Sequence, residues 1–225
     1  MASLTIGVTA PHVVPAKFLK PLLGIISYSS QKFHPLNVSV STHFSVEEAR
    51  NICVREALAN NSDYLFFLDA DILAPPNIVE KLASQGKDII SGPYHHKVPP
   101  YRPQAYKASQ NLEYLYEADT SIEEEKLYEV DAVGAGCLLI GRNVLEKLGD
   151  PWFDFHLGGK KISEDFFFCH KAKANGFRIW YDNSAGIVRH LGAAIGFGDY
   201  QVWNHHVKKG EIKFLDPDEK NQPRF

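Results

Sequence analysis

Short apolar runs and amphipathic stretches follow one another along residues 1–92. Leu4-Thr5-Ile6-Gly7-Val8-Thr9 has the β-rich, apolar character of a strand and stops at Ala10-Pro11. Residues 15–30 carry a helical pattern, with Pro15 and Pro21 blurring its start. Asn37-Val38-Ser39-Val40-Ser41-Thr42 alternates with period two, as a strand does. Ser45 then opens a helix: Glu48 completes a capping-box pattern, and Val46, Ala49, Ile52, Cys53 and Ala57 form an apolar stripe. Tyr64-Leu65-Phe66-Phe67-Leu68 is apolar without alternation, which fits a strand covered on both faces. Pro75-Pro76 predicts a helix running to about Gln85, and Asp88-Ile89-Ile90-Ser91-Gly92 a further short strand. Strands and helices in this alternation predict an α/β fold around a parallel sheet.

The texture changes between 93 and 130, where Pro93, Pro99, Pro100 and Pro103 are spread among Tyr, His and Lys. Possible strands near 103–107, 112–116 and 126–131 make this stretch a small antiparallel addition and not a second domain. Ala135-Gly136-Cys137-Leu138-Leu139-Ile140 returns to core texture, and a helix follows from about Arg142 to Leu148. Ser163 caps another helix to about Asn175, with Gly176 as its stop. Arg178-Ile179-Trp180-Tyr181 and Gly186-Ile187-Val188 read as the last strands. The expected organisation is one domain over 1–198 and a polar tail over 199–225, packing on or near the site, with a short helix at 199–208.

Composition narrows the classes. The chain has 225 residues, 44% hydrophobic and 23% charged, which suits one globular domain and excludes wholesale disorder. A net charge of −3 gives no sign of a nucleic-acid binder. Cys53, Cys137 and Cys169 are widely spaced among apolar neighbours, with no zinc pattern, and read as buried thiols in a reducing compartment. No apolar run approaches the ~20 residues of a membrane span, and the first residues show no secretory signal. A cytoplasmic protein is the expectation. The ten histidines hint at a His-based metal site, which position then narrows to one.

Candidate chemistry lies in four places. Asp69-Ala70-Asp71 sits just past the end of an apolar strand, the edge of an open α/β sheet where ligands bind. Two carboxylates so spaced suit one hard cation, Mg²⁺ or Mn²⁺, that keeps open positions for phosphate oxygens. Ser163-Glu164-Asp165 puts two carboxylates in a first helical turn, where the helix dipole favours their ionised forms. Asp165, Cys169 and Ala172 share an inward stripe, so Asp165 reads as a base and Glu164, turned elsewhere, as a structural or acceptor contact. His190 ends a short apolar segment and is a candidate third metal ligand. Arg50 and Asn51 lie on an early helix that reaches the same edge, and Val133-Gly134-Ala135-Gly136 permits close backbone approach.

These pieces, in this order over residues 4–192, resemble a GT-A glycosyltransferase of the small family 2-like type. The matching segments are Val8-Thr9-Ala10-Pro11, Ala49-Arg50-Asn51, the DXD motif Asp69-Ala70-Asp71, Val133-Gly134-Ala135-Gly136, Pro151-Trp152-Phe153, Ser163-Glu164-Asp165 and His190-Leu191-Gly192. The resemblance implies a Rossmann-like, mostly parallel central sheet flanked by helices. It implies a UDP- or GDP-sugar as donor, a glycan, glycolipid or protein as acceptor, and inversion at the transferred carbon. On this reading Asp71 binds the cation and Asp69 the ribose or the cation's shell, with His190 completing the metal site. Asp165 deprotonates the acceptor and Glu164 beside it belongs to the catalytic site as a structural or acceptor contact, while Thr9, Pro11, Arg50, Ala70, Gly92 and Gly136 line the nucleotide-sugar site. His95-His96, in the loop after Ser91-Gly92, are placed to touch substrate. Three other readings compete: a nucleotidyltransferase, a phosphotransferase of the haloacid-dehalogenase type, and a non-catalytic nucleotide- or sugar-binding module. The haloacid-dehalogenase pattern wants its Asp-x-Asp on the first strand, whereas here two strand–helix units precede it.

Overall fold

A computed structural model describes residues 1–10, 14–42, 45–109, 116–191 and 197–209. The first third runs strand β1 (Leu4–Thr9), helix α1 (Ala16–Ser29), β2 (Leu36–Ser41), α2 (Val46–Ala59), β3 (Tyr64–Asp69), β4 (Ile72–Leu73), α3 (Ile78–Ser84) and β5 (Ile89–Ser91). The middle supplies β6 (Ala105–Ala108), β7 (Tyr116–Ala118), β8 (Leu127–Val130) and β9 (Ala132–Val133). The remainder runs β10 (Cys137–Gly141), α4 (Arg142–Leu148), the hairpin of β11 (His156–Leu157) and β12 (Lys160–Lys161), α5 (Glu164–Ala174), β13 (Ile179–Asp182), β14 (Arg189–His190) and α6 (Phe197–Lys208).

Seven strands form one sheet in the order β2-β1-β3-β10-β5-β13-β8. β1 pairs in parallel with β2 and β3, and β13 with β5. β10 runs antiparallel to both β3 and β5, and β8 antiparallel to β13. The sheet is therefore mixed but mostly parallel. The direction of β10 is not readable from its sequence, because a run buried on both faces looks the same either way. A separate three-stranded antiparallel sheet, β7-β6-β9, forms a small addition, but not from the three strands expected: 103–107 corresponds to β6, 112–116 lies almost wholly outside the described residues, and 126–131 is β8, which pairs with β13 at the edge of the central sheet.

Alternate side chains of the central strands fill two cores. Leu65 and Phe67 of β3, with Leu138 and Ile140 of β10, pack with buried residues of α2, α4 and α5. Phe66 and Leu68, with Cys137 and Leu139, pack with α1 and α3. Each fully buried Phe or Leu contributes about 1.5–3 kcal/mol, so the absence of alternation in 64–68 is what two covered faces require. The three cysteines are free and buried, and act here as small apolar side chains.

Two local differences from expectation have simple causes. Helix α3 starts at Ile78, after a turn in which the Ile78 N–H donates to Pro75 O at 3.0 Å. The last short strand is Arg189–His190 and not Gly186–Val188, because Gly186 takes φ +121°, outside strand geometry, with Pro75 close by. Helix α6 is the helix expected at 199–208, begun two residues earlier, and its Tyr200 is buried with its ring 5.9 Å from that of His95. Gly176 does stop α5, with φ +87°. Among the described residues no helix is long and apolar enough to cross a membrane.

Candidate functional site

β1, β3 and β5 point the same way, so their C-terminal ends share one edge of the sheet. The antiparallel β10 brings its leading residues, Ala135 and Gly136, to that same edge. A cavity of about 390 Å³ lies there. Its walls carry Arg50, Asp69, Asp71, Glu164, Asp165 and His190, together with Tyr94, His96, Lys97, Val98, Gln104 and Ala135.

Asp69 ends β3 directly opposite Thr9 of β1. That register lets Thr9 Oγ1 donate to Asp69 Oδ1 at 2.6 Å. Arg50 Nη2 stands 3.1 Å from the same oxygen and 3.3 Å from Oδ2. The Asp69 N–H donates to Gly136 O at 3.0 Å. A Cβ on Gly136 would stand 2.9 Å from Asp69 Oδ2 and 3.2 Å from the Tyr94 ring, so glycine is what lets this carboxylate sit where it does. Thr9 and Gly136 thus hold Asp69 from behind and do not line the cavity.

Arg50 lies beneath the site. It shares a helix face with Cys53, Val54 and Ala57, which turns it inward. It is 3% exposed. Its Nε is 3.3 Å from Glu164 Oε1, Nη1 donates to Ala135 O at 3.4 Å, and the guanidinium stands over Phe67 at 5.3 Å and Phe153 at 5.9 Å. Burial opposes the Arg50 charge, but Asp69, Glu164 and Asp165 outweigh it and hold the group above its ordinary value. Asn51 fixes the aromatic support: its amide donates to Phe153 O at 2.9 Å and accepts the Phe153 N–H at 3.0 Å.

Asp71 is placed by a different device. β4 and β14 pair antiparallel, His190 opposite Ile72, and the Leu191 N–H donates to Asp71 O at 2.6 Å. This brings His190 Nδ1 to 3.8 Å from Asp71 Oδ2, an electrostatic approach longer than a hydrogen bond. Lys97 Nζ forms an ion pair with the same oxygen. His190 first, and then Lys97, hold the Asp71 carboxyl down to about 2 against the cost of its burial. His190 is buried, and neither of its ring nitrogens has a hydrogen-bond partner among the described residues.

Glu164 and Asp165 open α5 behind Ser163, whose extended backbone (φ −73°, ψ 146°) is that of a helix N-cap. Glu164 is the more buried of the two and is not turned elsewhere: Arg50 draws it into the site, and Ser163 Oγ donates to its other oxygen at 3.2 Å. Asp165 lies half-buried at the cavity wall and accepts the Phe166 N–H at 2.8 Å. Burial pushes its carboxyl up to about 7, and Glu164 adds to the rise against Ser163, Arg50 and the Phe166 N–H.

Other expected residues fall elsewhere. Gly92 packs against Cys137, whose Sγ a Cβ there would meet at 2.8 Å, and Ala70 belongs to the core facing α1 and α3. Pro11 and Gly192 lie outside the described residues. Tyr94, Lys97 and Gln104 are wall residues that sequence patterning does not single out. Their only signal is position, in the loop that follows the parallel strand β5. Tyr94 OH accepts the Gly136 N–H at 3.0 Å, and its ring stands 5.8 Å from that of His190.

Among the described residues no three His, Cys, Asp or Glu side chains are grouped tightly enough to hold a metal ion alone. Asp69 is already engaged by Thr9 and Arg50. Asp71 and the unpartnered nitrogens of His190 fit a hard divalent cation that draws its remaining ligands from water and phosphate oxygens.

No protein-family model matches the chain, and no curated protein matches its sequence. Its fold recurs among solved structures. A197 from STIV is 22% identical, with 85% of this chain and 86% of that chain covered at a TM-score of 0.56. GalNAc-T7, crystallised with UDP, GalNAc and Mn²⁺, is 14% identical, with 97% of this chain and 53% of that chain covered at a TM-score of 0.54. The inositol-1-phosphate CTP transferase from T. maritima is more distant, 13% identical with a TM-score of 0.45 over 90% of this chain and 95% of that chain. The likeness is one of fold: a mixed α/β structure with a mostly parallel central sheet flanked by helices, the class the sequence predicts.

Proposed function

We propose that this chain is a glycosyltransferase that moves a sugar from a UDP- or GDP-sugar to the hydroxyl of a glycan, glycolipid or protein. The observation that carries the reading is one cavity whose walls bring together two chemically different sets of groups. The walls carry both Asp71 beside His190, whose ring nitrogens have no hydrogen-bond partner among the described residues, and Asp165 with a raised carboxyl. The fold shared with GalNAc-T7, a protein crystallised with UDP, GalNAc and Mn²⁺, supports it.

Asp71 and His190 would hold a divalent cation, Mn²⁺ or Mg²⁺, which when bound offsets the charge growing on the departing diphosphate. Asp69, locked by Thr9 and Arg50, is oriented to accept hydrogen bonds from the donor's ribose or from bound water. Arg50 is a positioning residue: it ties the Asp69 strand end, 19 positions along the chain from it, to the start of α5, where Glu164 lies 114 positions from it. As the acceptor oxygen bonds to the anomeric carbon, the bond from that carbon to the diphosphate oxygen breaks, and the acceptor proton passes to Asp165. A carboxyl near 7 suits a base working at neutral pH. Attack from the face opposite the leaving group gives inversion.

The test is Asp165→Asn. Donor binding, measured by calorimetry with Mn²⁺, is expected to persist while turnover falls ~10²-fold or more, the scale of general-base loss. Unchanged turnover removes Asp165 from the chemistry.

A further inference from the structure

We infer that Lys97 is a built-in counter-cation, whose ammonium occupies the cation position on Asp71 while the donor site is empty and moves to the donor's diphosphate when a divalent cation takes Asp71. The inference rests on the transferase reading and adds a residue to it.

Two observations meet at one atom. Lys97 Nζ pairs with Asp71 Oδ2, and the same oxygen is the one His190 Nδ1 approaches at 3.8 Å. Both nitrogens of the buried His190 lack hydrogen-bond partners among the described residues, so a cation replacing the ammonium would find a carboxylate and an imidazole together. Charge balance on the cavity wall points the same way. Four carboxylates, those of Asp69, Asp71, Glu164 and Asp165, face a ligand that brings further negative charge. Arg50 is committed to Asp69 and Glu164 and is buried beneath them. Among the described residues Lys97 is the other permanently cationic wall residue, and its side chain is 53% exposed.

The loop is built to let that ammonium move while its base stays still. Gln104 N–H donates to Tyr94 O at 3.0 Å and His96 N–H to Arg102 O at 2.9 Å, closing a hairpin-like arm, and Tyr101 N–H donates to Val98 O at 2.9 Å to close its tip. Lys97 sits just beyond the last paired residue of that arm, on a flexible four-carbon stem whose swing needs no backbone change. An ion pair this exposed is weak and readily exchanged.

The experiment compares the full chain with its Lys97→Met and Lys97→Arg variants in two titrations. Mn²⁺ binding to nucleotide-free protein, followed by the electron paramagnetic resonance of free Mn²⁺, is expected to tighten up to about fivefold in Lys97→Met, the equivalent of ~1 kcal/mol. Binding of UDP and of GDP at saturating Mn²⁺ is expected to weaken about tenfold in the same variant, the scale of one charge-assisted hydrogen bond. Lys97→Arg keeps both values near those of the unaltered chain. Unchanged Mn²⁺ affinity or unchanged diphosphate affinity in Lys97→Met overturns the inference and leaves the proposed cation site standing. No Mn²⁺ binding by any of the three proteins, even with nucleotide present, overturns both. Both shifts as expected, but no sugar transfer from any donor, supports the role of Lys97 and overturns the transferase reading alone.

Discussion

The role proposed for Asp165 depends on its environment more than on its identity. Its ordinary value is 3.8, and the folded chain holds the proton to about 7. Between those values the folded chain binds more protons than the unfolded one, so stability declines as pH rises from about 4 to about 7 and levels off above. Turnover is expected to run the other way, rising through about 7 as the proposed base ionises. Asp165→Asn removes the titration. Its melting temperature is expected to match that of the unaltered chain near pH 4 and to exceed it at pH 8, in the same samples that lose turnover. Equal melting at pH 8 contradicts the raised carboxyl. The inward stripe of α5 made Asp165 legible from sequence. It could not show that Glu164 turns inward as well, because that depends on Arg50, which lies 114 positions earlier. Asp69 was legible in the same partial way. A strand end predicts a ligand-facing carboxylate, but the capture of both its oxygens by Thr9 and Arg50 follows from strand register and helix packing.

Short elements do as much here as long ones. β4 and β14 are two residues each, too short to leave a pattern in the sequence, yet their pairing brings His190 to Asp71. Leu191→Pro removes the N–H that donates to Asp71 O at 2.6 Å while leaving the preceding His190 free to remain extended. Mn²⁺ affinity is expected to fall about three- to tenfold, the worth of one net hydrogen bond, with the global unfolding midpoint little changed; calorimetry and urea unfolding check the two. Unaltered Mn²⁺ affinity shows that this pairing does not position the ligand pair. The longer elements were nearly all legible, because α2 and α5 carry helical periodicity over two turns or more and β3 is an unbroken apolar run of strand length. β10 was legible as core but not in direction, since its neighbours on both sides are set by contacts far along the chain.

At the scale of the molecule, the sheet brings the ends of β1, β3 and β5 and the start of β10 to one edge, and that edge is where four carboxylates, a buried arginine and a histidine without a hydrogen-bond partner among the described residues meet. The alternation of strands and helices made the edge predictable, and the order of motifs along the chain made a sugar-nucleotide site the natural expectation. The far wall, built from the loop after β5, was not predictable beyond its position, because loops carry no periodicity and fold against whatever the sheet presents. The most direct measurement of the central proposal is a thermal-melting screen of UDP- and GDP-sugars, with and without Mn²⁺, on the full chain and on Asp71→Ala. The expected result is a rise in melting temperature with at least one sugar nucleotide that requires Mn²⁺ and disappears in Asp71→Ala. A screen with no Mn²⁺-dependent shift for any donor, or a shift that Asp71→Ala retains in full, contradicts it.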